Sequence, residues 1–227
     1  MRDYFQTREP ARNIYNQWPV ARPGLIFILI PAGLALLALA FGLDCLPVIF
    51  GLAAAFCAWF FRDPQRPTPP PGFGLAPADG RIIRVERVEQ NPYTPGPTMK
   101  VSIFMNLLSV HVNRIPVNGR LTGQTYFPGS FFNASFDKAS EKNERNALVL
   151  ETAEGPVALV QIAGLIARRI VSWVREGEVL ERGQRFGLIR FGSRVDLYLP
   201  PDSEIMVGVG QKVTAGWSPL WRPGAVR

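Results

Sequence analysis

Two apolar runs without charge, Leu25 to Leu43 and Leu46 to Phe61, stand near the start of the chain, parted by Asp44 and Cys45. Neither run has a polar face, which argues against a pair of buried core helices and for a helical hairpin in a membrane. At ~1.5 Å per residue the first run nearly crosses a hydrocarbon core of ~30 Å. The second is short for a full span and fits a tilted, re-entrant or interfacial placement. Arg2, Arg8, Arg12 and Arg22 precede the pair and Arg62 follows it, with Asp44 alone at the tip. By the positive-inside rule both ends, and everything after Arg62, face the cytoplasm at the inner cell membrane. Ala38-Leu39-Ala40 could be mistaken for a signal-peptide cleavage site, but the polar leader is long and a second apolar run follows directly.

The prolines at 64, 67, 69, 70, 71 and 77 exclude a helix interior or a central strand and mark 62–77 as an extended linker. The expected organisation is therefore a terminal segment and hairpin over 1–61, the linker, and a second domain over 78–227. Beyond the linker Gly, Pro or Asn recur every eight to twelve residues, and Arg81 to Val88, Met99 to Met105, Leu148 to Thr152, Val157 to Ala163 and Arg169 to Val174 read as strands. That pattern predicts a mainly β fold of the barrel-sandwich kind behind the helical hairpin. A net charge of +7 favours a polyanionic partner, and the hairpin selects the anionic face of a membrane over nucleic acid. Cys45 and Cys57 lie in or beside the hairpin and have no metal-ligand spacing, so no metal site is expected.

A short internal repeat adds to the fold reading. Val174-Arg175-Glu176-Gly177 with Gly183 is answered by Val207-Gly208-Val209-Gly210 with Gly216 at the same intervals. Paired glycine turns of this sort resemble the hairpins of lipoyl and biotinyl carrier domains. The swinging-arm function does not follow, because no lysine lies between Gly183 and Gly210.

The chemistry gathers around Leu188-Ile189-Arg190-Phe191-Gly192-Ser193-Arg194-Val195-Asp196-Leu197-Tyr198-Leu199, a Gly-Ser pair between two strand-like runs. Glycine there permits a bend or bulge in which backbone strain can be held. A serine after a strained peptide bond can attack the carbonyl in front of it in an N-to-O acyl shift, if a base takes its proton. The chain has one histidine, so His111 is the candidate for that base. Asp79, in Pro77-Ala78-Asp79-Gly80, supplies a carboxylate that could orient it. Taken singly each is ordinary: Asp79-Gly80 reads as a turn, His111 as a core histidine, Ser193 as a bend residue.

Taken together, Pro-Ala-Asp-Gly at 77 to 80, Val-His-Val-Asn-Arg at 110 to 114, Tyr126-Phe127-Pro128-Gly129 with Asn143-Glu144-Arg145-Asn146, and Phe191-Gly192-Ser193-Arg194 resemble the phosphatidylserine decarboxylase family in its short prokaryotic form. The resemblance implies a proenzyme that cuts itself between Gly192 and Ser193 into chains 1–192 and 193–227. It implies a pyruvoyl group made from Ser193 as the covalent cofactor, and a Schiff base to the serine head group from which CO₂ departs. His111 would then be both the base for self-cleavage and a proton donor in turnover, with Asp79 fixing its tautomer. Phosphatidylserine in an anionic membrane is the implied partner, Arg114, Arg168 or Arg169 the expected contacts to its phosphate, and the loop over 128–146 a lipid-facing segment. Other substrates and classes stay open: an ether-linked serine lipid, a membrane-anchored hydrolase using Asp79, His111 and Ser193, or a non-catalytic membrane-tethered β module. No Gly-x-Ser-x-Gly elbow supports the hydrolase. Association into a homo-oligomer is compatible with all of these.

Overall fold

The computed structural model describes residues 19–129, 143–164, 169–190 and 193–224. The chain divides into two compact units that part between Gln65 and Arg66, inside the proline-rich stretch. Residues at the end of that stretch belong to the second unit: Gly74–Leu75 forms its first strand.

In the first unit α1 (Leu25–Ala40) and α2 (Leu46–Phe60) form a helical hairpin, with one turn of 3-10 helix at Arg22–Gly24 leading in. The continuous helical stretch Arg22–Ala40 has 19 residues, about 28 Å at ~1.5 Å per residue, so by length and composition it can cross a membrane. Leu29, Leu36 and Leu39 are exposed along it. Helix α1 stops before Leu43 because Gly42 takes φ +66° and turns the chain. The base of the hairpin is clamped where Ala21 N–H donates to Phe61 O at 2.8 Å and Asp63 N–H to Pro19 O at 2.7 Å. Phe61 lies against Gly24, where a Cβ would come within 2.3 Å of its ring, and stacks on Phe27 at 5.5 Å.

The second unit is built from β1 (Gly74–Leu75), β2 (Gly80–Val88), β3 (Thr98–Met105), β4 (Val112–Arg114), β5 (Gly119–Phe127), β6 (Arg145–Thr152), β7 (Gly155–Ala163), β8 (Ile170–Ser172), β9 (Val179–Leu180), β10 (Arg185–Ile189), β11 (Ser193–Leu199), β12 (Glu204–Ile205), β13 (Lys212–Val213) and β14 (Pro219–Arg222). An eight-stranded antiparallel sheet runs in the order β13-β2-β3-β11-β7-β6-β5-β9, with two three-stranded sheets, β1-β14-β12 and β4-β10-β8, beside it. One face of the large sheet supplies Ile82, Val101, Ile103, Leu148, Leu150, Leu159, Val195 and Leu197 to the main core. Alternation along each strand gives that face its apolar side chains. The other face carries a smaller cluster of Ala147, Ala158, Val160, Ile162 and Tyr198.

The order of the large sheet shows an approximate two-fold between β11 and β7, through Leu197 and Leu159, which pair directly. One half is β13-β2-β3-β11, the other β9-β5-β6-β7. The bulge in β2 between Ile82 and Arg84 has its counterpart in β5 between Leu121 and Gly123. Backbone bonds repeat as well: Leu75 N–H to Pro116 O matches Arg114 N–H to Pro77 O, each 2.9 Å, where the two connecting segments cross. Gly177, Gly183, Gly210 and Gly216, the repeat visible in the sequence, all take positive φ, and each marks the turn at one end of β9 or β13. The repeat is thus an internal duplication of one hairpin unit, and neither half could bury its inner face without the other.

Candidate active site

Ser193 opens β11 and faces the core. It pairs with Met105 on one side and Ala163 on the other, is 0% exposed, and its Oγ donates to Met105 Sδ at 3.3 Å. The strand is pinned directly behind it. Arg194 points to the opposite face and makes a buried bidentate pair with Asp196, Nε to Oδ1 at 2.5 Å and Nη2 to Oδ2 at 2.7 Å. Lys100 lies 3.8 Å from the same carboxylate. A charge pair excluded from water is stabilised only when both partners stay in place, so this pair makes the start of β11 rigid.

His111 precedes β4 and is buried, 2% exposed. Its backbone carbonyl accepts from Ile189 N–H at 3.4 Å, which brings it beside the end of β10, the strand that leads toward Ser193. Asn113, in the middle of β4, donates from Nδ2 to Met105 Sδ at 3.7 Å. The same thioether therefore receives Ser193 and Asn113. In this state the serine hydroxyl is directed to Met105 and not to the imidazole.

Asp79 has other partners than the histidine expected for it. Arg66 grips it with Nη1 to Oδ1 at 2.6 Å and Nη2 to Oδ2 at 2.8 Å, and Ala215 N–H donates to Oδ1 at 2.8 Å. The segment before Asp79 is tied to β4, where Arg114 N–H donates to Pro77 O at 2.9 Å. The carboxylate is filled by a bidentate guanidinium because Arg66, in the proline-rich stretch, reaches it, a contact the local sequence gives no sign of.

The arginines separate into different settings. Arg114 is buried, its Nη1 donates to Gly183 O at 3.1 Å, and its stem fills the space over Gly216, where a Cβ would come within 2.6 Å. Arg169 is exposed, and its carbonyl accepts Arg190 N–H at 3.2 Å. Burial, then the charge of Arg169, hold the Arg190 guanidinium below its usual pKa, the mark of two cations kept close together. Glu144 Oε1 accepts Ile170 N–H at 3.2 Å beside them, and burial with a hydrogen bond to Glu144 raises the Tyr126 phenol. Arg168, Gly192 and residues 130–142, most of the expected lipid-facing loop, lie outside the described residues. Sequence reasoning missed Met105, Asn113 and Arg190. Asn113 and Arg190 sit inside motifs singled out for His111 and Ser193, and strand alternation about those two residues was the signal available.

Ser193 and His111 are both buried, and Arg169 and Arg190 are joined through a backbone hydrogen bond. The family model for phosphatidylserine decarboxylase matches residues 53–220. A phosphatidylserine decarboxylase proenzyme of Burkholderia ambifaria (strain MC40-6) is 54% identical over 198 residues, 86% of this chain and 92% of the relative. One of Syntrophus aciditrophicus (strain SB) is 49% identical over 214 residues, 88% of this chain and 96% of the relative. The chain belongs to the phosphatidylserine decarboxylase family, and is an enzyme of that family.

Proposed function

We propose that the protein cuts its own backbone between Gly192 and Ser193 and then decarboxylates phosphatidylserine to phosphatidylethanolamine with a pyruvoyl group left at position 193. The observation that supports this most is Ser193 itself: a fully buried nucleophile at the start of β11, its hydroxyl given to a weak acceptor, the Met105 thioether. His111 takes the hydroxyl proton as Oγ bonds to the Gly192 carbonyl carbon; the C–N bond breaks, the nitrogen of residue 193 gains a proton, and an ester replaces the amide. Loss of the α-proton and of the ester oxygen from Cβ leaves a carboxylate on 192 and dehydroalanine at 193. Water then replaces the nitrogen, which leaves as ammonia. Asp79 acts as a positioning residue, fixing 77–80 through Arg66 and Ala215 and so the backbone of β4.

The pocket around residue 193 fits a pyruvoyl group. Met105 and Ala163 flank it on the two neighbouring strands, apolar side chains that would hold the uncharged ketone and methyl of that group. When present, that group supplies the sink for the electrons left behind by CO₂. His111 delivers the proton to the substrate carbon, and Arg169 with Arg190 meets the phosphodiester, for which bidentate guanidinium contacts are suited. Arg114, committed to Gly183 and Gly216, supports the fold. The apolar hairpin keeps the enzyme at the membrane, and its flanking arginines put the catalytic unit on the cytoplasmic side.

Denaturing gel and intact mass should show two chains, 1–192 and 193–227, the smaller without a free amine, and the protein should release CO₂ from phosphatidylserine vesicles. A folded preparation that stays a single chain and carries no carbonyl reactive toward hydroxylamine overturns the reading. Ester and ether serine lipids assayed in parallel decide the tail chemistry.

A further inference from the structure

A row of buried carboxamides leads to Ser193. Gln124 Nε2 donates to Asn146 Oδ1 at 3.4 Å, Asn146 Nδ2 to Gln161 Oε1 at 3.1 Å, Gln161 Nε2 to Asn113 Oδ1 at 2.8 Å, and Asn113 Nδ2 to Met105 Sδ at 3.7 Å. Asn113 and Gln161 are 0% exposed. Asn146, Gln161 and Asn113 each have their oxygen taken by the amide before, so their NH₂ groups point onward, and aligned donors polarise one another. The last NH₂ ends on a thioether, the weakest acceptor in the row, shared with the Ser193 hydroxyl.

The fold itself has no need of these amides. Counting from the bulge in each half, the cross-strand pair Asn146–Gln161 corresponds to Met99–Leu199 in the other half. Both of those are apolar. Gly187, opposite Asn113 in the β10–β4 pairing, leaves the room that Gln161 occupies: a Cβ there would come within 3.1 Å of Nε2. Apolar side chains fill the corresponding places in the duplicate, so the sheet can be built without the amide pair.

We infer that Asn113 is the hydrogen-bond donor that steadies negative charge as it grows on and beside Ser193 Oγ during self-cleavage, with Gln161 and Asn146 as positioning residues that aim it. Met105 is the placeholder in the resting chain, given up by both donors when the hydroxyl loses its proton to His111. This rests on the self-cleavage reading above. Among the described residues, the titratable and charged groups along and beside β4 and β10 are His111, Arg114, Arg185 and Arg190, whereas Lys100, Arg194 and Asp196 stand on the opposite face of β3 and β11.

The test follows the conversion of freshly translated full chain to fragments 1–192 and 193–227 on gels across a pH series, with thermal melts of each variant. Asn113→Ala should slow cleavage about 100-fold at neutral pH and recover as pH rises, since alkali replaces the help given to deprotonation. Asn113→Asp, the same shape with the sign reversed, should be at least as slow. Gln161→Met should slow it about tenfold by letting Asn113 turn. Cleavage of Asn113→Ala within threefold of the parent, or a slowing equal at every pH, overturns the inference. If Asn113→Ala does not melt cooperatively, Gln161→Met decides, and parental cleavage by it is equally fatal. A parent chain that never cleaves instead removes the self-cleavage reading.

Discussion

Across the approximate two-fold through Leu197 and Leu159 the halves of the large sheet keep their ladders, bulges and glycine turns but not their polar residues. By register, Ser193 at the head of β11 answers to Gly155 at the head of β7, where φ is +113° in a tight turn. The outward residues Arg194, Asp196 and Tyr198 of β11 answer to Pro156, Ala158 and Val160 of β7. Asp79, which accepts Ala215 N–H, answers to Asn118, which accepts Arg182 N–H at 2.7 Å. Whatever both halves share serves the fold, and whatever only one half carries is a candidate for chemistry. By that criterion the backbone role of Asp79 is structural, because Asn118 does the same, and only its charge, paired with Arg66, is particular to the site.

The difference can be tested in order of expected size. Ser193→Ala should abolish cleavage and CO₂ release outright, while Gly155→Ser should produce no second cut on a gel and only lose about 1 kcal/mol to the left-handed backbone at that turn. Asp196→Ala strands Arg194 in the interior and should cost about 3–5 kcal/mol in denaturant unfolding. Asp79→Asn keeps the bond to Ala215 but gives up Arg66; a loss of about 1–2 kcal/mol with cleavage slowed several-fold is expected. The converse change, Asn118→Asp, should move unfolding by less than about 0.5 kcal/mol and leave cleavage alone. An equal cleavage defect in the two exchanges would mean that the charge of Asp79 has no role of its own.

The smallest effect is on alkaline stability. Burial, then the Asp196 charge, pushes the Tyr198 phenol up, and burial raises Tyr93, which packs on it at 5.2 Å. A phenol harder to ionise when folded binds its proton more tightly in the native state. Stability is then complete below the unfolded value of about 10 and falls as pH rises above it. Tyr198→Phe should flatten that fall in melts between neutral and strongly alkaline pH, whereas Val160, its counterpart, offers nothing to titrate.

Much of the fold was legible in residue order because its signals are local. Apolar runs without a polar face gave the hairpin, punctuation by Gly, Pro or Asn gave β2, β3, β6, β7 and β8, alternation gave β11, and paired glycines pointed to a short repeat. The first helix ended three residues before its apolar run did, since Gly42 turns the chain sooner than hydropathy changes. Short strands such as β9 and β13 were not foreseen, being only two residues long and held by partners far away in sequence. In the site, Ser193 and His111 stood out through scarcity and motif, whereas the partner of Asp79 did not, because Arg66 reaches it from the proline-rich stretch.

Residue order by itself determined the element types, the apolar hairpin and the residues able to carry acid–base and nucleophilic chemistry, since each depends on neighbours a few positions away. Tertiary structure alone decided which groups meet: Arg66 with Asp79, Ser193 with Met105, and the amides of Asn113, Gln161 and Asn146 in one row. The physical reason is that hydrogen bonds and buried ion pairs act over about 3 Å, and only the closing of two similar halves onto one another brings distant segments within that range.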